Sequence, residues 1–327
     1  MFFLDLLYAF PGGIADGLTF ALLAVGVFIT YKILDFADLT VDGSIALGGA
    51  LTAQLIFFGC EPVVAMLAAF AAGGAAGLVT ALLHTKLKIP GILSSILTML
   101  ALYTVNFRIM GNSTRPIGER TTIFTYMSGM FPGLPLTYAT IIAGVLLAGV
   151  IIALVYCFMG TEFGAALRAT GNNAKMAKAQ GINTDTTKIV GLILSNALVA
   201  LAGSFIAQAS TSANVDMGRG AIVIGLASVI IGEMIFGKNR PFWARLISVV
   251  LGAVIYRLII VIALQLGLKT EDLNLVSSII VVVALCIPFV RDKIKSRRRR
   301  VAAGLPPDPP AGAPTADDPP EAGEVTD

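Results

Sequence analysis

Charge is what this sequence has least of. Only 13% of its 327 residues are Asp, Glu, Lys or Arg, about half the share of a soluble domain. Another 56% are hydrophobic, more apolar surface than a soluble core of this length can hide. Histidine is nearly absent: His84 stands alone, which leaves no ligand set for zinc or haem and no reactive cluster for a membrane enzyme. The three cysteines, Cys60, Cys157 and Cys286, are scattered and odd in number, without a CxxC spacing. They support neither a metal site nor a disulfide framework. A basic start followed by a small-residue cleavage pattern, the mark of a secretory signal, is missing. So are the short alternating segments of a transmembrane barrel. No catalytic residue, metal or cofactor is expected in this chain, and no nucleic-acid partner.

What the sequence has instead is apolar runs near the roughly 20 residues that cross a bilayer as a helix. They predict an all-α, polytopic transmembrane helical bundle of about nine spans (8–10), near residues 12–31, 43–59, 62–83, 90–109, 138–159, 187–209, 218–236, 242–266 and 273–290. Between the first two, Asp35, Asp38 and Asp42 mark either an interfacial loop or a broken helix end. With the amino terminus outside, most basic residues fall in cytoplasmic connections: Lys32, then Lys86 and Lys88, then Arg168, Lys175, Lys178 and Lys188, then Lys238, Arg240 and Arg245, and finally the run Arg291 to Arg300. Arg108, Arg115, Arg120, Arg219 and Lys269 remain outside. This bias places the carboxyl terminus in the cytoplasm. Residues 1–295 form the membrane domain, with a polar outer connection at 110–137 and a basic cytoplasmic segment at 160–186. Residues 296–327, basic and then acidic and Pro-rich, are expected to be disordered.

Polar residues inside spans are costly and often functional. Ser94, Ser95, Thr98 and Asn106 fall within one sector of the fourth span. Such a stripe either borders a translocation path or supplies helix–helix hydrogen bonds. Asp42, Ser44, Gln54, Asn196 and Gln208 are further candidates. Arg257 lies far from both ends of its span, so it faces protein or water, in an ion pair, a carbonyl contact or a solute site. Glu233 is close enough to an inner end to reach the interface. Gly73 and Gly77 form a small-xxx-small face for close packing. The stretch Gly232 to Asn239 nearly spells a phosphate-binding loop, but it ends a transmembrane helix and has Asn239 where Ser or Thr would hold magnesium. Lys238 there reads as a cytoplasmic anchor.

The segment Thr161 to Ile182 reads as two short helices. Thr161 caps the first and Gly171 ends it; Asn172 or Asn173 caps the second and Gly181 ends it. The pair either plugs into a groove on a soluble partner or lies on the lipid surface as an amphipathic connection.

This segment resembles the coupling loop of ABC importer permeases of the branched-chain amino acid and ribose type. Their pattern runs Thr-x-Phe-Gly-x-Ala-Leu-Arg-Ala-x-Gly-Asp-Asn, then Ala-x-x-x-Gly-Ile. The chain supplies Thr161, Phe163, Gly164, Ala166, Leu167, Arg168, Ala169, Gly171, Asn173, Ala177, Gly181 and Ile182, and departs at Asn172. Gly17 to Gly26, Asp35-Phe36-Ala37, Asp42-Gly43 and Leu47 to Ala50 resemble the same family's opening. Leu39 to Ser44 is most similar to a branch that works with tryptophan- and tyrosine-type binding lipoproteins. The resemblance implies a permease dimer, driven by cytoplasmic ATPase subunits and fed by an extracytoplasmic binding protein. It places Phe163, Gly164, Leu167, Arg168, Gly171, Asn172, Asn173, Ala177 and Gly181 at the ATPase contact. The solute expected is small and polar, an amino acid, with a sugar or nucleoside as the alternative. A secondary transporter is the competing class, but neither paired broken helices nor a dense set of membrane acids stands out.

Overall fold

A backbone in lipid must satisfy its polar groups within itself, so long apolar segments become helices. The computed structural model describes residues 2–130, 135–237, 240–268, 272, 275–284 and 286. Its helices are α1 (Phe2–Val27), which runs on as a π-helical turn (Phe28–Ile33), α2 (Thr40–Phe57), α3 (Pro62–Thr85), α4 (Gly91–Met110), α5 (Ile123–Met130) and α6 (Leu136–Met159). There follow α7 (Glu162–Asn172), α8 (Ala174–Ala179), α9 (Thr184–Ala209), α10 (Ala221–Phe236) and α11 (Phe242–Gln265). A shorter apolar helix, α12 (Leu275–Ala284), comes last. Among the described residues eight helices are long and apolar enough to cross a membrane. The chain is therefore a multi-pass, nearly all-α membrane bundle. The expected ninth span at 273–290 and the tail at 296–327 lie partly or wholly outside the described residues. The first helix starts at Phe2, well before residue 12.

The bundle is built around α9. Ser44, Gly48 and Thr52 of α2 meet Asn196, Ala200 and Ser204 of α9, a four-residue ridge in parallel register. The approach is close enough that a Cβ on Gly48 would stand 1.9 Å from the Ala200 carbonyl oxygen. On the other side α3 runs antiparallel, with Gly73 against Asn196 and Gly77 against Leu192. The small-residue face read from spacing is thus a backbone-to-backbone seam.

This register also fixes depth. Thr40 aligns with Leu192, eight residues into α9, or about 12 Å at 1.5 Å per residue. The loop 34–39 therefore enters the bundle rather than lying at its surface, and Leu34, Phe36 and Asp38 are buried. Of the two readings of the acidic stretch, the broken helix end is the one formed. A second dip mirrors it. After β2 (Ser212–Asn214), a 3₁₀ turn (Val215–Gly218) descends until Gly218 touches the Asp42 backbone and Met217 reaches Gly49. Consequently α10 begins inside the bundle.

Residues 114–124 pack on the end opposite α7 and α8. β1 (Thr114–Pro116) pairs antiparallel with β2, Thr114 opposite Asn214. Phe124 packs on Phe205, ring centroids 4.9 Å apart. Gln208 accepts the Ile123 N–H at 2.9 Å, so this path candidate holds the connection down.

Candidate functional site

Two short helices project from one end of the bundle. The Thr161 hydroxyl accepts the Gly164 N–H and starts α7; the Asn173 side chain accepts the Met176 N–H and starts α8. Both are N-caps of the kind the sequence predicts. Gly171 does not end α7, which runs through Asn172. A Cβ at Gly171 would stand 1.8 Å from the Ile33 carbonyl oxygen, so the glycine lets α7 rest on the end of the π-helical turn. Gly164 makes the same allowance against Met159. Gly181, at φ +83°, does follow the second helix.

The nine candidate coupling residues divide by direction. Leu167, fully enclosed, packs with Leu34 and Gly191, and Ala177 is 4% exposed. Thr170 and Thr187 share a 2.9 Å hydrogen bond that pins α7 to α9. Gly164, Leu167, Gly171 and Ala177 therefore fasten the segment to its own bundle. Phe163, Arg168, Asn172, Asn173 and Gly181 lie on its open side, joined by Met176, 63% exposed. Phe163 stands 45% exposed. Arg168 donates to the Met159 carbonyl at 2.9 Å, complementing the carboxyl end of α6.

Beneath this segment sits a charged layer. Glu233 of α10 pairs with Lys32 at 2.9 Å and with Arg245 of α11 at 3.2 Å. One acid thus joins the ends of three spans. A cavity of about 490 Å³ opens beside it, lined by Lys32, Asp35, Arg168, Gly171 and Arg245 among others. His84 is a structural tie: Nε2 meets the Lys188 ammonium at 3.2 Å, and the ring packs edge-on against Phe36. Gly232, from the phosphate-loop lookalike, packs a helix seam against Ser248; Lys238 and Asn239 fall outside the described residues.

The interior candidates bond mostly to backbone groups, and one pair, Ser44 and Asn196, bonds directly. Ser94, Ser95 and Thr98 are buried on the α4 face that meets α2, with Asn106 on the same face. The three hydroxyls return to carbonyls of their own helix, Gly91, Ile92 and Ser94. Asn106 donates to the Gly43 carbonyl at 3.1 Å; among the described residues its Oδ1 and the Gln54 Oε1 are enclosed without a partner. Ser44 donates to Asn196, which donates to Asp38 at 2.7 Å. Asp42 accepts the N–H groups of Gly220 (3.2 Å) and Ile222 (2.9 Å), an acid placed at the start of α10.

Two residues escaped the sequence reading. Asp38 was seen only as part of an acidic loop, yet it anchors the Asn196 network. Asp16, on α1, faces Arg257 of α11 electrostatically, while the guanidinium lies 3.6 Å from the centroid of the Phe20 ring. Among the described residues Arg257 makes neither of the structural contacts expected of it, carbonyl or close ion pair.

Residues 11–285 match the family described as branched-chain amino acid transport system / permease component. A tyrosine transport system permease protein of Clostridioides difficile is 39% identical over 88% of this chain and 93% of its own length. An inner membrane ABC transporter permease protein of Escherichia coli is 31% identical over 68% of this chain and 64% of its own. The ribose import permease protein of the same species is 28% identical over 78% and 74%. No solved structure matches.

Proposed function

The chain belongs to the branched-chain amino acid transport system permease family; from that premise we propose that it carries an amino acid inward, driven through α7 and α8. It is the membrane-spanning permease subunit of an ABC importer, and the family works with ATPase and binding-protein subunits. The solute we infer is an aromatic amino acid, supported by the 39% identity to the tyrosine permease over nearly the whole of both chains. Ribose and nucleoside permeases are also relatives, the first at 28% identity and the second over only 30% of this chain. They define the alternative cargo. We further propose two copies of the chain per importer, with the end bearing α7 and α8 in the cytoplasm.

The observation that carries the coupling role is the two-sidedness of α7–α8. One side is locked to the bundle by Leu167, Gly171 and Thr170, so a push on the segment moves the spans it rests on. The other offers Phe163, Asn172, Asn173 and Met176 to a groove on the ATPase. Asn172 replaces the acid common in the family and leaves that surface more basic, with Lys175 and Lys178 nearby.

The solute reading is tested by co-purifying the permease with its binding protein and identifying the bound ligand by mass spectrometry. L-Tyrosine or L-tryptophan is expected. A pentose or nucleoside as the sole ligand overturns the amino acid assignment and leaves the permease role untouched.

A further inference from the structure

Two ionisable side chains stand within the spans, on neighbouring helices. Arg257 lies twelve residues beyond Arg245, which belongs to the charged layer with Lys32 and Glu233. At 1.5 Å per residue this is about 18 Å above that layer, near the middle of a hydrocarbon core about 30 Å thick. Asp16 lies sixteen residues before Lys32, about 24 Å above the same layer. The helices that carry them are in tight contact: a Cβ on Gly17 would stand 2.5 Å from the Val254 Cα, and Gly13 meets Leu258 and Val261.

These charges attract but do not close. Among the described residues no ion pair within 4 Å joins them, although each acts on the other's charge. Phe20 holds the guanidinium from below, and Arg257 Nε is enclosed without a hydrogen-bond partner among the described residues. The Asp16 side is open. Bordering residues on α1 are small, Gly12 and Gly13, whereas the later half of the helix, from Ala21 to Thr30, is entirely buried. Asp16 is exposed within about 6 Å of the outer edge of such a core, where a carboxylate turns to water or solute rather than to acyl chains.

We propose that Asp16 and Arg257 form a station on the solute path that takes the zwitterionic head group of an α-amino acid. The solute carboxylate docks on the guanidinium, which presents paired N–H donors to a planar anion. The solute ammonium docks on the Asp16 carboxylate, and the Phe20 ring floors the site beside the side chain. Opposite charges held apart suit a ligand that carries both signs one bond from a shared carbon. A sugar or nucleoside would leave both charges unfilled. This assignment rests on the amino acid reading above and names where the permease itself senses that solute.

The test uses the complete importer, permease with ATPase subunits and binding protein, in proteoliposomes with radiolabelled L-tyrosine. Asp16→Asn and Arg257→Gln should each lower the saturating uptake rate about tenfold or more, while Arg257→Lys, which keeps the charge, should recover much of it. In a background with Cys60, Cys157 and Cys286 changed to Ser, Asp16→Cys should react with a membrane-impermeant thiol reagent. Unchanged tyrosine uptake in Asp16→Asn and Arg257→Gln overturns the station and leaves the amino acid reading standing. Failure of the Cys to react places Asp16 against lipid and also overturns it. If all three charge variants fail to assemble with the ATPase, and Arg257→Lys does no better than Arg257→Gln, the pair is structural and the station is wrong. Wild-type importer that carries ribose but no amino acid overturns both readings together.

Discussion

Asn196 shows how much one side chain does in the middle of this bundle. Its amide donates to Asp38 and to the Leu192 carbonyl and accepts from Ser44, tying α2, the buried loop and α9 at one depth. Replacement by Ala removes the donor from a carboxylate that is 2% exposed. Leaving such a group short of a partner costs about 1–3 kcal/mol, and more when the group is charged. Asn196→Ala should therefore lower the melting temperature of the purified permease clearly, measured in detergent by fluorescence-detected size exclusion. A paired glycine experiment separates packing from composition. Gly48→Ala puts a methyl 1.9 Å from a backbone oxygen, whereas a Cβ at Gly74 meets nothing nearer than 3.4 Å. Gly48→Ala should force the α2–α9 seam apart and destabilise by at least the roughly 1–3 kcal/mol of ordinary overpacking. Gly74→Ala should melt like the parent; equal melting of the two variants would contradict the close approach. Spacing alone gave away Gly73 and Gly77, because two small residues four apart share a helix face. Asp16 was hidden for a physical reason. The first span was placed at residue 12, which makes an acid at 16 look interfacial, while the helix begins at Phe2 and carries that acid inward.

At the scale of elements, α7 and α8 were legible as two capped helices because their caps are local chemistry. Thr161 and Asn173 each hydrogen-bond an N–H three residues on. Their direction was not legible. Gly171 looked like a helix stop, since glycine is common just past a helix end; its purpose lies in the Ile33 backbone, 138 residues earlier in the chain. Ala177 likewise looked available to a partner and instead packs inward. The two sides of the segment should respond differently to mutation. Met176→Glu keeps the fold and places a charge on the open side, so the permease should insert and melt normally while losing co-purifying ATPase. Leu167→Ala should act from beneath, costing about 2–5 kcal/mol as a buried leucine truncation and weakening both thermal stability and transport. Normal ATPase retention by Met176→Glu, measured by pull-down against the parent, would remove the open side from the contact. Normal transport by Leu167→Ala would mean that the lower side transmits nothing.

Across the whole molecule, hydropathy read the spans well, because each long apolar run reports its own need to leave water. It could not read the two dips, at 34–39 and 212–220, where polar residues enter the bundle because they find partners on distant helices. Asp38 has Asn196, and Asp42 has the first N–H groups of α10. Orientation is the remaining global property, and the charge distribution makes a definite statement about it. One end carries Lys32, Arg168, Lys175, Lys178 and Arg245 around the α7–α8 segment; the opposite end, with the β1–β2 pair, carries Arg108, Arg115, Arg120 and Arg219 among the described residues. Basic residues are retained on the cytoplasmic side during insertion, so α7 and α8 should lie in the cytoplasm and residues 110–137 outside. Native Cys60 is exposed in the turn after α2, at the end that carries the β1–β2 pair. With Cys157 and Cys286 changed to Ser, it should react with an impermeant thiol reagent in intact cells. Removing it as well and adding Glu119→Cys should keep the reaction, while Lys175→Cys should react only after the membrane is opened. The reverse pattern, with 175 reactive from outside and 119 silent, would invert the molecule and take α7 and α8 out of reach of any cytoplasmic ATPase.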